Sequence, residues 1–408
     1  MTRCCSNPWG LSRCLSGNDA AVKIERRILA ELDDLESQAQ LRHLETPRGI
    51  DLSSNDYLGL STDPRMKQAI LEAVASAPRV ASTGSRLLSG HDEAWTALEQ
   101  DFAGWVGAEA SLYFTSGYAA NIGLLSSILR PDDVVFSDSA NHASLIDGMR
   151  LAKSRRVVFP HLDLNALEGE LRWSHSGSGA RFIVVESIFS MDGDRAPLRD
   201  LAALAWRYQA ELIVDEAHAT GVCGPGGRGC VAEAGLTGRV FATVHTCGKA
   251  LAAAGAFVCG SEPLRRFLIN RARTFIYGTA LPPYFAAQVA AGLRFAATME
   301  AERAHLAGIG SFLKNELLQN GFETAGSDSQ IVPVVLGPND TALAFAANLQ
   351  ARGYGIRAIR PPTVPAGTAR LRMSLTTKLT QQMLADLVGA LIQIRKELSA
   401  AQAISLPQ

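Results

Sequence analysis

The sequence predicts an α/β fold: a large domain with a mostly parallel sheet between helices, plus a smaller C-terminal α/β domain. Short apolar runs alternate with amphipathic stretches from residue 111 to residue 259, the pattern of parallel strands joined by crossover helices. The chain has 408 residues, too many for one simple core. After Pro282-Pro283 the alternation gives way to a long helical region and then to a second, shorter α/β pattern.

Residues 1–20 read as a loose extension. From 22 to 44, Ile24, Ile28, Leu32 and Leu35 recur on one helical face, and the helix is expected to end near Pro47. Residues 50–60 read as a short strand running into a turn. Asp63 and Pro64 then open a helix, the aspartate as cap and the proline at the first helical position. A polar, glycine-bearing loop over 82–90 precedes a helix over 91–106. A strand over 111–115 meets Ser116-Gly117-Tyr118 and a helix over 119–129. Helix starts leave N–H groups unpaired and positive, so this junction can hold an anion.

Strands at 133–136, 155–159, 181–186 and 211–215 alternate with helices at 142–152, 163–172 and 197–208. Strands 240–246 and 255–259 follow without a long helix between them. A helical region covers 284–319, then come strand 330–336, helix 340–352, strands 355–359 and 369–375, and helix 380–397. The division this suggests is an N-terminal extension and helix over 1–50, a large cofactor-binding domain over 51–290 and a small C-terminal domain over 291–408.

Hydrophobic residues at 47% and charged residues at 19% are ordinary for a soluble protein. A formal net charge of -1 gives no electrostatic case for nucleic acid or an anionic membrane as partner. Residues 1–18 lack the apolar stretch of a signal sequence, and no apolar run reaches membrane-spanning length. The seven cysteines are scattered without zinc spacing, which fits a reduced cytoplasm and no metal.

The chemistry centres on Lys249. No acidic residue lies between Phe241 and Gly260, so its ammonium is set among small and apolar side chains. Lost hydration lowers the pKa, and a neutral amine can form a Schiff base with a carbonyl. On that window alone a surface lysine in a loop between two strands is the commoner reading. Upstream, the apolar run 211–214 ends in Asp215, with His218 shortly after. A carboxylate closing one buried strand and a lysine just past another suit pyridoxal phosphate (PLP), whose aldehyde and ring nitrogen need those two groups.

Other motifs carry less. Gly224 to Gly229 matches G-x-G-x-x-G but lies far beyond its strand and contains Pro225, so a mobile loop is expected rather than a dinucleotide site. Gly248-Lys249 lacks the remainder of a P-loop. His142 opens a helix, where a capping role competes with a catalytic one. Arg370 and Arg372 alternate on a strand and share a face, either exposed or turned inward as a carboxylate clamp.

Ser54-Asn-Asp-Tyr-Leu-Gly-Leu-Ser61, Gly84-Ser-Arg-Leu-Leu-Ser-Gly90, Ser116-Gly-Tyr-Ala-Ala-Asn121, Ser190-Met-Asp-Gly-Asp194, Val214-Asp-Glu-Ala-His-Ala-Thr-Gly221, Thr246-Cys-Gly-Lys249 and Arg360-Pro-Pro-Thr-Val-Pro365 occur in order. Together they resemble the α-oxoamine synthase family of fold-type I PLP-dependent transferases, over residues 50–398. Residues 359–372 and 190–198 are most similar to the branch that condenses L-alanine with a pimeloyl thioester on coenzyme A or acyl carrier protein. Glycine-using branches are the alternative. Cys247 stands where phenylalanine is common, and Ala252-Ala-Ala254 replaces a glycine-rich run.

The resemblance implies a role for each matching residue. Lys249 holds the cofactor aldehyde and then removes the Cα proton. Asp215 pairs with the ring nitrogen, His142 stacks on the ring and assists proton transfer, and Ser190 and His218 bond its phenolic oxygen. Gly117 and Tyr118 cover the cofactor near the phosphate, which Thr246 binds together with Thr279 from a second subunit, so a homodimer is implied. Arg372 holds the amino-acid carboxylate, and Arg42 and Thr363 contact the acyl substrate.

Overall fold

A computed structural model describes residues 19–46, 48–174 and 179–404. Helix α1 (Asp19–Ser37) leads to strand β1 (Ile50–Asp51), and helices α2 (Pro64–Ser76) and α3 (Glu93–Val106) precede the main sheet. The carboxylates of Asp63 and Asp92 cap α2 and α3 by accepting the N–H of Arg65 and Ala94, and Pro64 takes the first helical turn as predicted.

Strands β2 (Ala110–Phe114), β3 (Val134–Asp138), β4 (Arg155–Phe159), β5 (Arg181–Glu186), β6 (Glu211–Asp215), β7 (Ala242–Thr246) and β8 (Ala256–Gly260) form one seven-stranded sheet. Its order is β2-β8-β7-β6-β5-β3-β4, and only β8 runs against its neighbours. Helices α4 (Gly117–Ile128), α5 (Ala143–Ala152), α6 (Leu164–Trp173), α7 (Leu198–Arg207), α8 (Cys230–Glu233), α9 (Glu262–Arg271) and α10 (Arg273–Ile276) cover it.

Both faces of the central strands are buried. Leu212 and Val214 of β6 join one cluster with Trp95 and Phe102 of α3, while Ile213 joins another with Leu124 of α4 and Leu145 of α5. Each such side chain contributes about 1.5–3 kcal/mol by leaving water. A strand buried on both sides therefore reads as a continuous apolar run. The parallel register sets Glu186 opposite Asp215 and Asp215 opposite Val244, so β5 and β6 end level, β7 runs two residues further, and the turns after them share one rim.

Helix α11 (Tyr284–Ala297) packs on α2 and α3. Then come α12 (Glu300–Gln319), β9 (Ile331–Gly337), α13 (Asn339–Ala351), β10 (Tyr354–Gly355), β11 (Ala358–Ile359), β12 (Ala369–Ser374) and α14 (Gln381–Ile404). A small antiparallel sheet runs β11-β12-β9, and β10 pairs in parallel with β1, tying the start of the chain to this second unit.

The structure differs from expectation at four places. The first helix stops at Ser37 rather than near Pro47, which lies outside the described residues, as do 1–18 of the expected extension. Ala39 takes a positive φ of 53°, and Arg360 donates to the carbonyls of Ala39 and Leu41, drawing the chain out of the helix. The helix expected over 284–319 breaks between Ala297 and Glu300. There Thr298 Oγ1 bonds the Phe295 carbonyl, and Arg303 Nη1 takes the Ala296 carbonyl at 2.6 Å. The strand expected over 355–359 splits in two because β10 pairs with β1 and β11 with β12.

The glycine string 224–229, expected as a mobile loop, is packed instead. Gly229, at φ +105°, lies so close to Glu216 that a Cβ would sit 2.6 Å from Oε2. Glu216 in turn accepts the N–H groups of Cys230 and Val231.

Candidate active site

A cleft of about 470 Å³ opens where β5, β6 and β7 end. Gly117, Tyr118, His142, Ser190, Asp215, His218, Thr246, Lys249 and Arg372 all line it. Asp215, last residue of β6, is 4% exposed; its Oδ1 accepts Ala217 N–H at 2.8 Å and its Oδ2 accepts Asn121 Nδ2 at 2.7 Å. Lys249 lies in the turn after β7 and, among the described residues, donates only a long 3.4 Å contact to Thr246 Oγ1. Burial lowers its pKa and Arg372 adds to this, while Asp215 and Glu186 oppose it.

On the other side stands α4. Ser116 caps it by accepting Ala119 N–H at 3.1 Å, and Gly117 follows. A Cβ on Gly117 would sit 2.6 Å from Thr246 Cγ2, so only glycine lets the helix start come this near the end of β7. The first-turn N–H groups have no intrahelical acceptor and, with the Thr246 hydroxyl, form an anion cradle. Tyr118 is partly exposed; its hydroxyl bonds Asp147 and its ring meets His142 edge-on at 6.4 Å. His142 is both cap of α5 and part of the cleft, its Nδ1 facing Ser144 Oγ at 2.7 Å.

His218 Nδ1 meets Tyr57 Oη at 2.6 Å, and burial holds its pKa well below the ordinary value, with Lys249, Arg372 and His142 adding to this. Arg370 and Arg372 both turn inward and are buried. Arg370 pairs with Asp192, while Arg372 donates to the Ser190 carbonyl at 2.5 Å, Ser374 Oγ at 2.6 Å and Asn55 Oδ1 at 3.3 Å. The partners of Arg372 are thus neutral, which leaves its charge available to a carboxylate.

Three residues singled out in the sequence lie apart from this cleft. Thr279 is exposed and bridges to Ser85. Arg42 and Thr363 meet each other at 3.1 Å, beyond the strand carrying Ile359, which does line the cleft. Asn55, Asn121, Ser144 and Glu186 line it without having been assigned a role from sequence. Glu186 ends β5 as Asp215 ends β6, so the same signal pointed to it. Burial raises its pKa well above the usual carboxylate value and the nearby Asp215 adds to this; its Oε1 has no partner among the described residues.

The family described as aminotransferase class I and II matches residues 47–391. The chain belongs to that family. The 8-amino-7-oxononanoate synthase of Geobacter sulfurreducens is 42% identical over 388 residues, covering 91% of this chain and 99% of the relative. That of Burkholderia orbicola is 43% identical over 358 residues, covering 86% and 87%. A serine palmitoyltransferase of S. paucimobilis with bound PLP superposes with a TM-score of 0.85 at 28% identity, over 94% of this chain and all of that one. The 8-amino-7-oxononanoate synthase of Francisella tularensis gives 0.75 at 28% identity, over 86% and 99%.

The fold is therefore that of fold-type I PLP transferases, the likeness to α-oxoamine synthases is borne out, and PLP is the cofactor. The residues present fit it. A buried amine, a buried carboxylate one strand away and a glycine-opened helix start match its aldehyde, ring nitrogen and phosphate. Among the described residues no helix is long and apolar enough to cross a membrane.

Proposed function

We propose that the protein is an 8-amino-7-oxononanoate synthase. In this reading it condenses L-alanine with a pimeloyl thioester on coenzyme A or acyl carrier protein, with loss of CO2 and thiol, in the cytoplasm, as a step of biotin synthesis. The observation that carries this is the convergence of Lys249, Asp215, His142 and Arg372 on one cleft, in a chain 42% identical to proteins of that name.

PLP, once bound, supplies an electron sink for the pair left at Cα when its proton departs and again when CO2 leaves. The chain's own residues do the rest. Lys249 is the covalent anchor, and its amine, kept short of protons by burial, takes the Cα proton and later returns one. Asp215 keeps the ring nitrogen protonated, and the buried Ser190 and His218 hold the phenolic oxygen. Thr246 and the start of α4 bind the phosphate. Arg372 fixes the alanine carboxylate so that the Cα–H bond is presented to Lys249. Arg42, whose partner Thr363 is a neutral hydroxyl, can receive the far carboxylate of pimeloyl. Thr279 is exposed and does not line its own cleft, which fits service in the phosphate site of a second copy, and the working unit is a homodimer.

The test is the visible absorption of the PLP-loaded protein on adding L-alanine, then pimeloyl-CoA. A cofactor band that shifts with alanine, followed by thiol and CO2 release, is the expected result. A response to glycine but not alanine moves the protein to a glycine-using branch. A protein that gains no cofactor band from PLP is not this enzyme.

A further inference from the structure

Asn121 and Ser144, in the early turns of α4 and α5, are buried and carry no role in the scheme above. Asn121 Nδ2 donates to Asp215 Oδ2 at 2.7 Å and to Ser144 Oγ at 2.9 Å, which commits both of its N–H bonds. The amide cannot be turned over, because its Oδ1 would then face the Asp215 carboxylate. Ser144 Oγ, already accepting from Asn121, lies 2.7 Å from His142 Nδ1, within reach of its own hydroxyl hydrogen. The Ser144 backbone N–H reaches the same nitrogen at 3.2 Å. A backbone N–H aimed at Nδ1 makes it an acceptor, which assigns the Ser144 hydroxyl as a second donor and the single proton of the neutral ring to Nε2.

We propose that Asn121 and Ser144 are positioning residues that relay the fixed charge of Asp215 into His142, holding its ring neutral with the proton on Nε2. This rests on the reading of His142 as a working member of the PLP site. The relay settles a conflict among the groups facing that ring. Burial opposes a charge on it and lowers its pKa, the Asp215 anion pulls the other way, and Lys249 adds to the lowering. His218 is held neutral, Glu186 is pushed toward its neutral form, and the Tyr118 hydroxyl is engaged by Asp147. Without the relay, Ser144 Oγ could turn and accept a proton from Nδ1, and Asp215 would then favour the imidazolium. With it, one carboxylate keeps the cofactor nitrogen charged while the ring beside it stays uncharged and presents an N–H donor.

The test uses PLP-loaded enzyme labelled with 15N-histidine, with His142→Asn to assign the resonance. Wild type should show His142 protonated at Nε2 and bare at Nδ1. Asn121→Leu, which frees the Ser144 hydroxyl to accept, should bring Nδ1–H signal, and both it and Ser144→Ala, which removes a donor to Nδ1, should raise the pH at which the ring titrates by about one unit, a tenfold change in that equilibrium. Ser144→Thr, which keeps the hydroxyl, should restore the wild-type state. Turnover should fall about tenfold in the first two variants with KM for alanine little changed. Should Asn121→Leu fail to fold, the Ser144→Ala and Ser144→Thr pair carries the comparison alone. A wild-type Nδ1–H signal, or a titration unmoved in folded Ser144→Ala, overturns the relay. The resonance is read without thioester, so a protein that shows the relay but does not accept pimeloyl-CoA loses the proposed function and keeps the inference.

Discussion

At Lys249 the local environment makes the chemistry. Its amine is buried, with one long hydroxyl contact, and Asp215 is near enough to restrain its loss of charge without forming an ion pair. Lys249→Ala should lower turnover by about 10³-fold or more, since it removes the covalent anchor and the base together; product release against time is the check. Glu186 tests the same environment differently. Burial raises its folded pKa well above 4.5, so the folded protein holds a proton that the unfolded chain gives up. Its contribution to stability is full below pH 4.5 and is lost as pH rises through the folded value. Glu186→Gln should therefore gain stability relative to wild type with rising pH, read as urea midpoints at pH 5 and pH 8. Asp215 was legible because a carboxylate closing a buried apolar run must find a partner, and Glu186 carried that signal unread. The pairing of Asn121 with Asp215, 94 residues apart, has no local signature and needs the fold.

The elements follow the sequence wherever capping or burial is local. Ser116, Asp63 and Asp92 each sit where a helix begins and each bonds a first-turn N–H. The break between α11 and α12 was not legible, because neither Thr298 nor Met299 is a helix breaker by composition. The break is made by Arg303, whose buried guanidinium reaches back to the carbonyls of Ala296 and Gly221 at 2.6 and 3.2 Å. Arg303→Met keeps the aliphatic bulk, takes the side-chain donor from the Gly221 carbonyl and leaves the Ala296 carbonyl with backbone N–H donors alone. It should cost about 2–3 kcal/mol in equilibrium unfolding. A loss within a few tenths of a kcal/mol would mean that α11 ends for another reason.

Across the whole molecule, alternating apolar and amphipathic stretches were enough to anticipate a mostly parallel sheet with a rim at its strand ends, because buried parallel strands leave that pattern in any sequence. Assembly leaves no such periodic trace. Its signs are surface positions that a lone chain has no reason to keep apolar. Leu88 is 84% exposed and Tyr277 is 72% exposed, and they belong to the two segments joined by the bridge between Ser85 and Thr279. In the homodimer proposed here, a partner covers these side chains and receives Thr279 at its phosphate site. Mixing two defective chains separates that arrangement from independent sites. Lys249→Ala keeps Thr279, and Thr279→Arg keeps Lys249, so each homodimer has two impaired sites. A mixed dimer then contains one site with both natural residues and one with neither. After unfolding and refolding together in equal amounts, activity should recover to about a quarter of wild type, since about half the dimers are mixed and each has one intact site. Activity that stays at the average of the two parents would place Thr279 in service of its own chain, and a particle sedimenting at the 43.5 kDa of one chain while fully active would remove the dimer from the mechanism.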